Sequence, residues 1–600
     1  MRYSIGNIFL SATFCFLSAT FSLAQEISLE PILISSSRLE QKFLRSGEGK
    51  NYGEISSYPV YSLPDLLQYF SSVDIRRRSA YGIQADLSIR GSNFQQTLVL
   101  FDGLNLNDPQ TAHHNLDLPL TMFDIERIEV LRGQASGLYG GGAFGGVVSI
   151  FTKKPEGKKI FYQTSRGEFN SWNQAISVTH PLGDFASRFS YEYKQSSAYK
   201  PETDFIQRNF YSNIVHGFGE GEMDFVYGFT DKDFGASTFY SKYFPRQEEH
   251  TRTDFLRLGL KANDSTTSFY YRRHWDNFLL DRTRPGWNEN THTSYIYGGQ
   301  FIKREETPWG NLAWGLDFAY DKISSTKLNK HSRNREAIFL EWGNGFKEKY
   351  IFNLSLREDY YSYWGSEFSP NLNFGYLIEP NFKLHSSFGK AFRVPSYTEL
   401  YYQDAANIGN SSLLPEHAFS WEMGLDKTIG DNLFSITFFK RKTRNTIDWV
   451  RENSADTTWE AKNIGEIFFK GVEFNYRLMN RDKYIFSLER FGYSYLEAER
   501  KADLGLSKYV LDHLQHQFLL GLRNLLPWGF VQTWNLNYKE RTTGSGGFLL
   551  DSRIAKNIFQ KNFNLEIFLE GTNLTNTNYQ EITDVAMPGR WLSWGLKFEF

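Results

Sequence analysis

The residues able to do chemistry are few, and their spacing points away from catalysis. The chain has no Gly-x-Ser-x-Gly elbow and no His-Glu-x-x-His helix, so an exposed serine nucleophile and a zinc hydrolase are both missing and no enzyme activity is expected. The adjacent pair His113-His114 could ligate a metal or haem iron, but neighbouring side chains usually diverge. Hydrogen bonding or plain loop structure is the expected role, with no metal site and no cofactor. Charged residues Arg90, Glu126, Arg127, Glu129 and Arg132 are interspersed with glycines at 91, 103, 133, 140, 145 and 146. Glycines there fit tight turns and close backbone approach, and the charges can form a polar network where apolar packing would be too permanent for a part that must move.

The elements that position these residues fall in two regions after an N-terminal leader. Met1 to Ala24 reads as a secretory signal: Arg2 is the positive start, Ile8 to Phe21 the apolar core, and Ser22-Leu23-Ala24 the small-residue cleavage site before Gln25. The only cysteine, Cys15, lies inside it without the context of a lipoprotein signal, so the mature chain has no thiol for disulfides, metal sites or nucleophilic attack. From Gln25 to about Pro155 the segments are short and glycine-rich, with a helix predicted over Pro64 to Phe70, N-capped by Ser62 and favoured by Asp65 in its first turn. This region reads as a compact α+β domain.

From about Lys158 onward the pattern changes to two-residue alternation. Phe189, Tyr191 and Tyr193 alternate with Ser190, Glu192 and Lys194, Phe434, Ile436 and Phe438 with Ser435 and Thr437, and Phe563, Leu565, Ile567 and Leu569 with Asn564, Glu566 and Glu570. The last strand sets Leu592, Trp594, Leu596, Phe598 and Phe600 opposite Ser593, Gly595, Lys597 and Glu599. Past the signal no run of 18 apolar residues exists, so helical membrane spans are excluded. Aromatics are 17% of the chain while hydrophobics reach only 40%, which suits strands with one apolar and one polar face. The polar face carries charges and amides on strand after strand, and aromatics crowd strand ends, as at Tyr360, Tyr361, Tyr363 and Trp364. Both features favour a wet lumen and a lipid-facing exterior over a soluble sandwich or propeller. About 440 residues at about twenty per strand and connection give roughly twenty-two antiparallel transmembrane strands. A lumen of that width leaks unless filled, and the N-terminal domain is an object of the right size to fill it. With a formal charge of −2 and scattered charges, no nucleic-acid partner is expected.

Several segments resemble the TonB-dependent outer-membrane receptors. They are Leu87-Ser88-Ile89-Arg90-Gly91, Leu98-Val99-Leu100-Phe101-Asp102-Gly103, Ile125-Glu126-Arg127-Ile128-Glu129-Val130-Leu131-Arg132-Gly133, Leu138-Tyr139-Gly140, and Ala143-Phe144-Gly145-Gly146-Val147-Val148-Ser149-Ile150. Farther on, Ser387 to Pro395 with Glu399-Leu400 and Leu414-Pro415-Glu416 resembles a mid-barrel strand and loop of the family. Gly571 to Tyr579 resembles its penultimate strand end, and Phe600 the aromatic terminus read by barrel-assembly machinery. One departure is Ser71-Ser72-Val73, where such plugs usually carry Pro-Gly before valine.

The resemblance implies a Gram-negative outer-membrane, multi-pass β-barrel with an N-terminal α+β plug in its lumen, divided as signal 1–24, N-terminal segment 25–40, plug 41–155 and barrel 156–600. It implies a monomer in outer-membrane lipid, energised by TonB of the inner membrane. Glu30-Pro31-Ile32-Leu33-Ile34-Ser35-Ser36 looks like the family's TonB box, and its β-branched residues can add as a strand to an exposed sheet edge and transmit a pull. The box lies close to the expected mature N-terminus, which leaves no room for a further signalling domain ahead of it. The plug loop Asn105 to Asn115 is rich in turn residues and is expected to face the extracellular vestibule. Gln110, His113, His114, Tyr81, Gln84, Tyr401 and Tyr402 are the expected ligand-proximal side chains. The compact chain is similar to cobalamin and ferric-siderophore receptors. A ferric siderophore or other iron chelate is the first expected cargo and cobalamin the second. Against cobalamin, the calcium-binding aspartates of that receptor have no counterpart around Tyr199 to Asn209 beyond Asp204. Haem is disfavoured because no histidine lies between Phe392 and Pro415, and a passive porin because it has no use for a plug or a box.

Overall fold

The computed structural model describes residues 38–39, 46–453, 455–501, 505–543, 546–560 and 563–600. From Lys159 onward, alternation drives the chain into a closed barrel of twenty-two strands among these residues, each hydrogen-bonded antiparallel to its neighbours. The last strand, Trp591–Glu599, pairs with the first, Lys159–Gly167, from Ser593 opposite Gly167 to Glu599 opposite Phe161. Phe600 completes the seam: its N–H donates to the Ile160 carbonyl at 2.9 Å, and Ile160 N–H donates back at 3.1 Å. Closure leaves no open sheet edge.

Burial along the strands is the reverse of a soluble protein's. On strand Phe185–Ser196, Phe189 and Tyr191 face outward, while Ser190, Glu192 and Lys194 are at most 3% exposed. Trp594 points out and Ser593 in on the closing strand, and Phe438 out and Thr437 in on Asn432–Arg444. Tyr360 and Tyr363 stand on the exterior, whereas Tyr361 turns inward. Connections at the end holding Phe600 are short, such as Gly183-Asp184 and Asn263-Asp264, and those at the other end are longer, including 394–415, 445–466 and 573–590.

The polar inner faces are buried because the N-terminal region fills the lumen. Its sheet runs Gly47–Asn51, Ile125–Arg132, Gly146–Thr152, Thr97–Phe101, Leu104–Asn105 in spatial order, with Thr97–Phe101 parallel to Gly146–Thr152. Val73–Arg77 and Ala85–Ile89 form a separate antiparallel pair. The helix expected over Pro64 to Phe70 spans Leu63–Leu67, with Asp65 N–H donating to the Ser62 side chain at 3.3 Å. It ends early because Tyr69 and Phe70 N–H groups fall back on the Leu66 and Leu67 carbonyls, a tightened turn that drives both rings into the core. At the Ser71-Ser72-Val73 departure, Ser72 holds a φ of 60°, the left-handed conformation that glycine adopts without strain.

Candidate functional site

The N-terminal domain is held to the barrel wall by buried ion pairs. Arg90 and Gly91, with φ of 51° and 67°, turn the chain out of strand Ala85–Ile89 and aim the arginine at the wall. Its guanidinium is bidentate to Glu473, at 2.7 and 2.8 Å, and reaches Glu422 at 2.6 Å, with all three side chains at most 3% exposed. Asp102 caps Thr152 through its backbone and hydroxyl, both at 2.8 Å, and meets Arg257 of the barrel at 3.1 Å. Arg132 stays inside the domain on the Ser71 carbonyl and Glu48, and Arg127 pairs with Glu129 at 2.9 Å and more loosely with the exposed Glu126. Barrel partners that the sequence did not single out add further pairs, among them Arg188 with Asp124, Arg272 with Asp108, Lys232 with Asp117, Arg541 with Asp74, and Glu581 with Arg77.

The glycines act where the backbone is crowded. A β-carbon on Gly145 would fall 2.4 Å from Ser92 Oγ and 2.5 Å from the Ile89 carbonyl oxygen, and one on Gly146 2.4 Å from the Leu131 carbonyl oxygen. Gly103, Gly133 and Gly140 hold positive φ, Gly140 where the chain passes the Arg357–Asp359 pair of the wall after the short helix Ser136–Tyr139.

Loop 105–115 lies toward the long-loop end, and its two histidines diverge. His113 Nδ1 lies 2.6 Å from Asp86 Oδ1, and its ring stacks on Phe94 with centroids 4.5 Å apart. Burial pushes Asp86 up, but Arg78 and His113 outweigh it and hold the carboxyl well below its ordinary range, while burial lowers His113. His114 turns inward against Asp117; burial lowers its pKa, yet Asp117 and Asp276 dominate and raise it to about 9.

Phe94 meets Tyr509 edge-on at 5.2 Å, and Tyr509, like Tyr401, Tyr402, Trp364 and Trp459, packs against the buried cluster of Leu400, Leu413, Ile447, Trp449 and Ala461. Tyr401 also stacks on His331 at 3.6 Å. Phe94, His113 and Tyr509 therefore form an aromatic ledge above the domain, joined through Tyr509 to the apolar loop cluster against which Tyr401 and Tyr402 also pack. Phe94, Tyr509 and His331 escaped the sequence reading because their register toward this ledge depends on loops distant in sequence.

Four expected ligand-proximal residues lie elsewhere. Tyr81 is enclosed by Tyr61, Phe205 and Trp591 beside the barrel seam. Gln84 is buried with its amide on the Tyr240 hydroxyl at 2.6 Å, Gln110 is buried under its own loop, and His114 faces the wall. Each is withdrawn because the barrel strands crossing behind the loop supply polar or aromatic partners. Around Tyr199 to Asn209, the acidic groups Glu202 and Asp204, with Glu248, converge on Arg282 at 2.7 to 3.0 Å, so a fixed guanidinium occupies their centre.

A family model described as TonB dependent receptor-like, beta-barrel matches residues 129–574, and one described as TonB-dependent Receptor Plug Domain matches residues 51–147. The chain belongs to the TonB-dependent receptors. Among its relatives, the vitamin B12 transporter BtuB of Vibrio vulnificus is 23% identical over 479 residues, 75% of this chain and 76% of that one. The vitamin B12 transporter BtuB of Vibrio cholerae is 26% identical over 482 residues, 74% and 75% of the two chains. The solved structure of the FrpB iron transporter from Neisseria meningitidis superposes with a TM-score of 0.77 at 13% identity, covering 92% of this chain and 98% of that one. The siderophore receptor PirA from Pseudomonas aeruginosa gives 0.70 at 17%, covering 92% and 99%. At such identities the structural likeness establishes the fold alone.

As a TonB-dependent receptor the chain is an outer-membrane protein, its apolar exterior facing lipid. The short turns mark the periplasmic end and the long loops the cell surface, so the aromatic ledge opens outward. The segment Glu30 to Ser36 and the signal region lie outside the described residues.

Proposed function

We propose that this receptor imports a bulky nutrient by energised displacement of the plug, that a corrinoid is its cargo, and that the pull enters through Glu30 to Ser36. The observation that carries the transport reading is the closed lumen. The plug fills it and is fixed to the wall by buried ion pairs, so passage needs work on the plug rather than diffusion through a pore. That work must come from the inner membrane, because open porins leave the outer membrane without a useful ion gradient. A cargo held at nanomolar affinity, about −12 kcal/mol, also leaves slowly unless its site is remodelled.

The corrinoid reading is supported by relatives that carry the name vitamin B12 transporter and align over three-quarters of both chains. It reverses the order expected from the sequence. The aromatic ledge offers flat apolar faces for a macrocycle. A ferric chelate is the second reading, the one expected first from the sequence, although Arg333, Arg335 and Arg393 in the cavity between plug and wall are each already paired with a carboxylate and leave it no cationic excess.

Titrating the tryptophan fluorescence of the purified receptor with cyanocobalamin, a ferric hydroxamate, a ferric catecholate and haemin separates these readings. Submicromolar saturation by cyanocobalamin alone is the expected result, and saturation by one ferric chelate alone would replace the corrinoid. In whole cells, Leu33→Pro is expected to abolish uptake while leaving surface binding intact. Uptake at the wild-type rate would remove the proposed handle.

A further inference from the structure

His114 points away from the vestibule into a buried polar cluster that the transport reading does not use. The plug contributes His114 and Asp117, strand Glu248–Ala262 contributes Glu249, and strand Ser265–Leu279 contributes His274 and Asp276. All five are at most 5% exposed. Ligand atoms of His114, Asp117 and His274 lie within 4.8 Å of one another, as do those of His114, Glu249 and Asp276. The two imidazole rings are 4.2 Å apart between centroids.

The charges in this cluster do not balance. Lys232 meets Asp117 at 2.5 Å and Arg272 meets Asp108 at 2.5 Å, but among the described residues no lysine or arginine pairs with Asp276 or Glu249. Three atoms also lack a hydrogen-bond partner: His114 Nδ1, His274 Nε2 and Asp276 Oδ1. They face one another, with His274 Nε2 at 3.9 Å from Asp276 Oδ1 and His114 Nδ1 at 3.4 Å from Asp117 Oδ2. Buried polar atoms without partners and buried carboxylates without cations are both costly, and one divalent cation among them would relieve both. The other nitrogen of His274 is held 2.8 Å from Thr253 Oγ1, the orienting contact that metal-bound histidines characteristically make.

We propose that this cluster is a divalent transition-metal site bridging plug and barrel, with His114, His274 and Asp117 as ligands and Asp276 and Glu249 supplying the balancing charge. Two imidazoles with a carboxylate suit zinc, cobalt or nickel, whereas calcium and magnesium require oxygen donors throughout. Each imidazole binds the ion through a nitrogen that carries no proton, so metal affinity falls as the pH is lowered. The ion ties the root of the vestibule loop to the barrel wall, so its occupancy sets how readily that part of the plug moves. The site is separate from the cargo surface and stands whichever cargo is carried.

The test is a Co²⁺ titration of the full mature receptor, purified without a histidine tag and stripped with EDTA, read by visible absorption. The expected result is one Co²⁺ per chain, displaced by Zn²⁺, with affinity lowered at least a hundredfold in His114→Gln and in His274→Gln and unchanged in the surface variant His180→Gln. Heat-modifiable electrophoretic migration shows that each variant barrel is folded. X-ray absorption of the wild-type Zn²⁺ complex, which needs no variant, should count two imidazole ligands. Absence of stoichiometric Co²⁺ binding, binding that survives both substitutions, or an all-oxygen coordination shell would overturn the proposal.

Discussion

Replacing Arg90 by alanine should loosen the plug strongly, because it strands two buried carboxylates of the barrel wall at once. Glu473 and Glu422 are at most 3% exposed, and Arg90 contacts both, with its guanidinium also 4.3 Å from the Phe439 ring. Removing one partner of a buried pair costs about 3–5 kcal/mol, largely from the uncompensated charge left behind. Arg441, which already donates to the Arg90 carbonyl at 3.0 Å, can swing toward the carboxylates and draws the expected value to the low end. At about 3 kcal/mol the plug-release equilibrium shifts roughly 10²-fold. In planar bilayers, urea opens a conducting lumen as the plug unfolds. With a urea dependence of about 1–3 kcal/mol/M, Arg90→Ala should bring the opening midpoint down by about 1–3 M. The triple variant Arg90→Met, Glu422→Gln, Glu473→Gln carries no stranded charge and should recover most of that shift. An unchanged midpoint in Arg90→Ala, or a triple variant as loose as the single one, would refute the reasoning.

Four further outcomes follow from the same geometry. Ser72→Gly should raise the urea midpoint, by about 1 kcal/mol of plug stability, because glycine relieves the left-handed φ of 60°; a lowered midpoint would count against the strain argument. Gly145→Ala should lower it, by about 1–3 kcal/mol, since its β-carbon meets the Ile89 carbonyl at 2.5 Å, and wild-type behaviour would mean that the turn yields freely. Burial pushes the Asp74 carboxyl up, but Arg541 and Arg76 prevail and hold it down at about 2. This folded value lies below the ordinary value of about 3.9, so the pair's contribution is complete above about pH 4 and is lost as the pH falls through about 2. Plug release should therefore steepen across that window and flatten in Asp74→Asn. Phe94→Ala with Tyr509→Ala should weaken cargo binding several-fold, at about 0.5–1.5 kcal/mol per ring contact; unchanged cargo affinity would place the ligand off the ledge.

Much of the architecture was legible in the residues themselves. Two-residue alternation has only two solutions in a secreted chain, and the charges on the inner face of strands such as Phe185–Ser196 chose the lipid-facing one. The number of alternating segments set the barrel size, and Ser62 with Asp65 marked the helix start, since capping depends on atoms three residues apart. Arg90 and Asp102 could be singled out for a polar network by type and spacing.

Their partners could not be read that way, and neither could the orientation of the expected ligand residues. Arg90 meets Glu473 across 383 positions, and every strand offers the lumen similar polar side chains, so local pattern does not distinguish one acceptor from another. Tyr81 is buried because Phe205 and Trp591 arrive from two barrel strands near the seam. Adjacent histidines part company because Asp86 pulls one ring toward Phe94 while Asp117 and His274 receive the other. The sequence alone determined that this chain is a plugged, lipid-facing barrel, because periodicity and capping are short-range physics. Which charges clamp the plug, which rings line the vestibule and which imidazoles meet were decided only by strand closure, which sets long-range register.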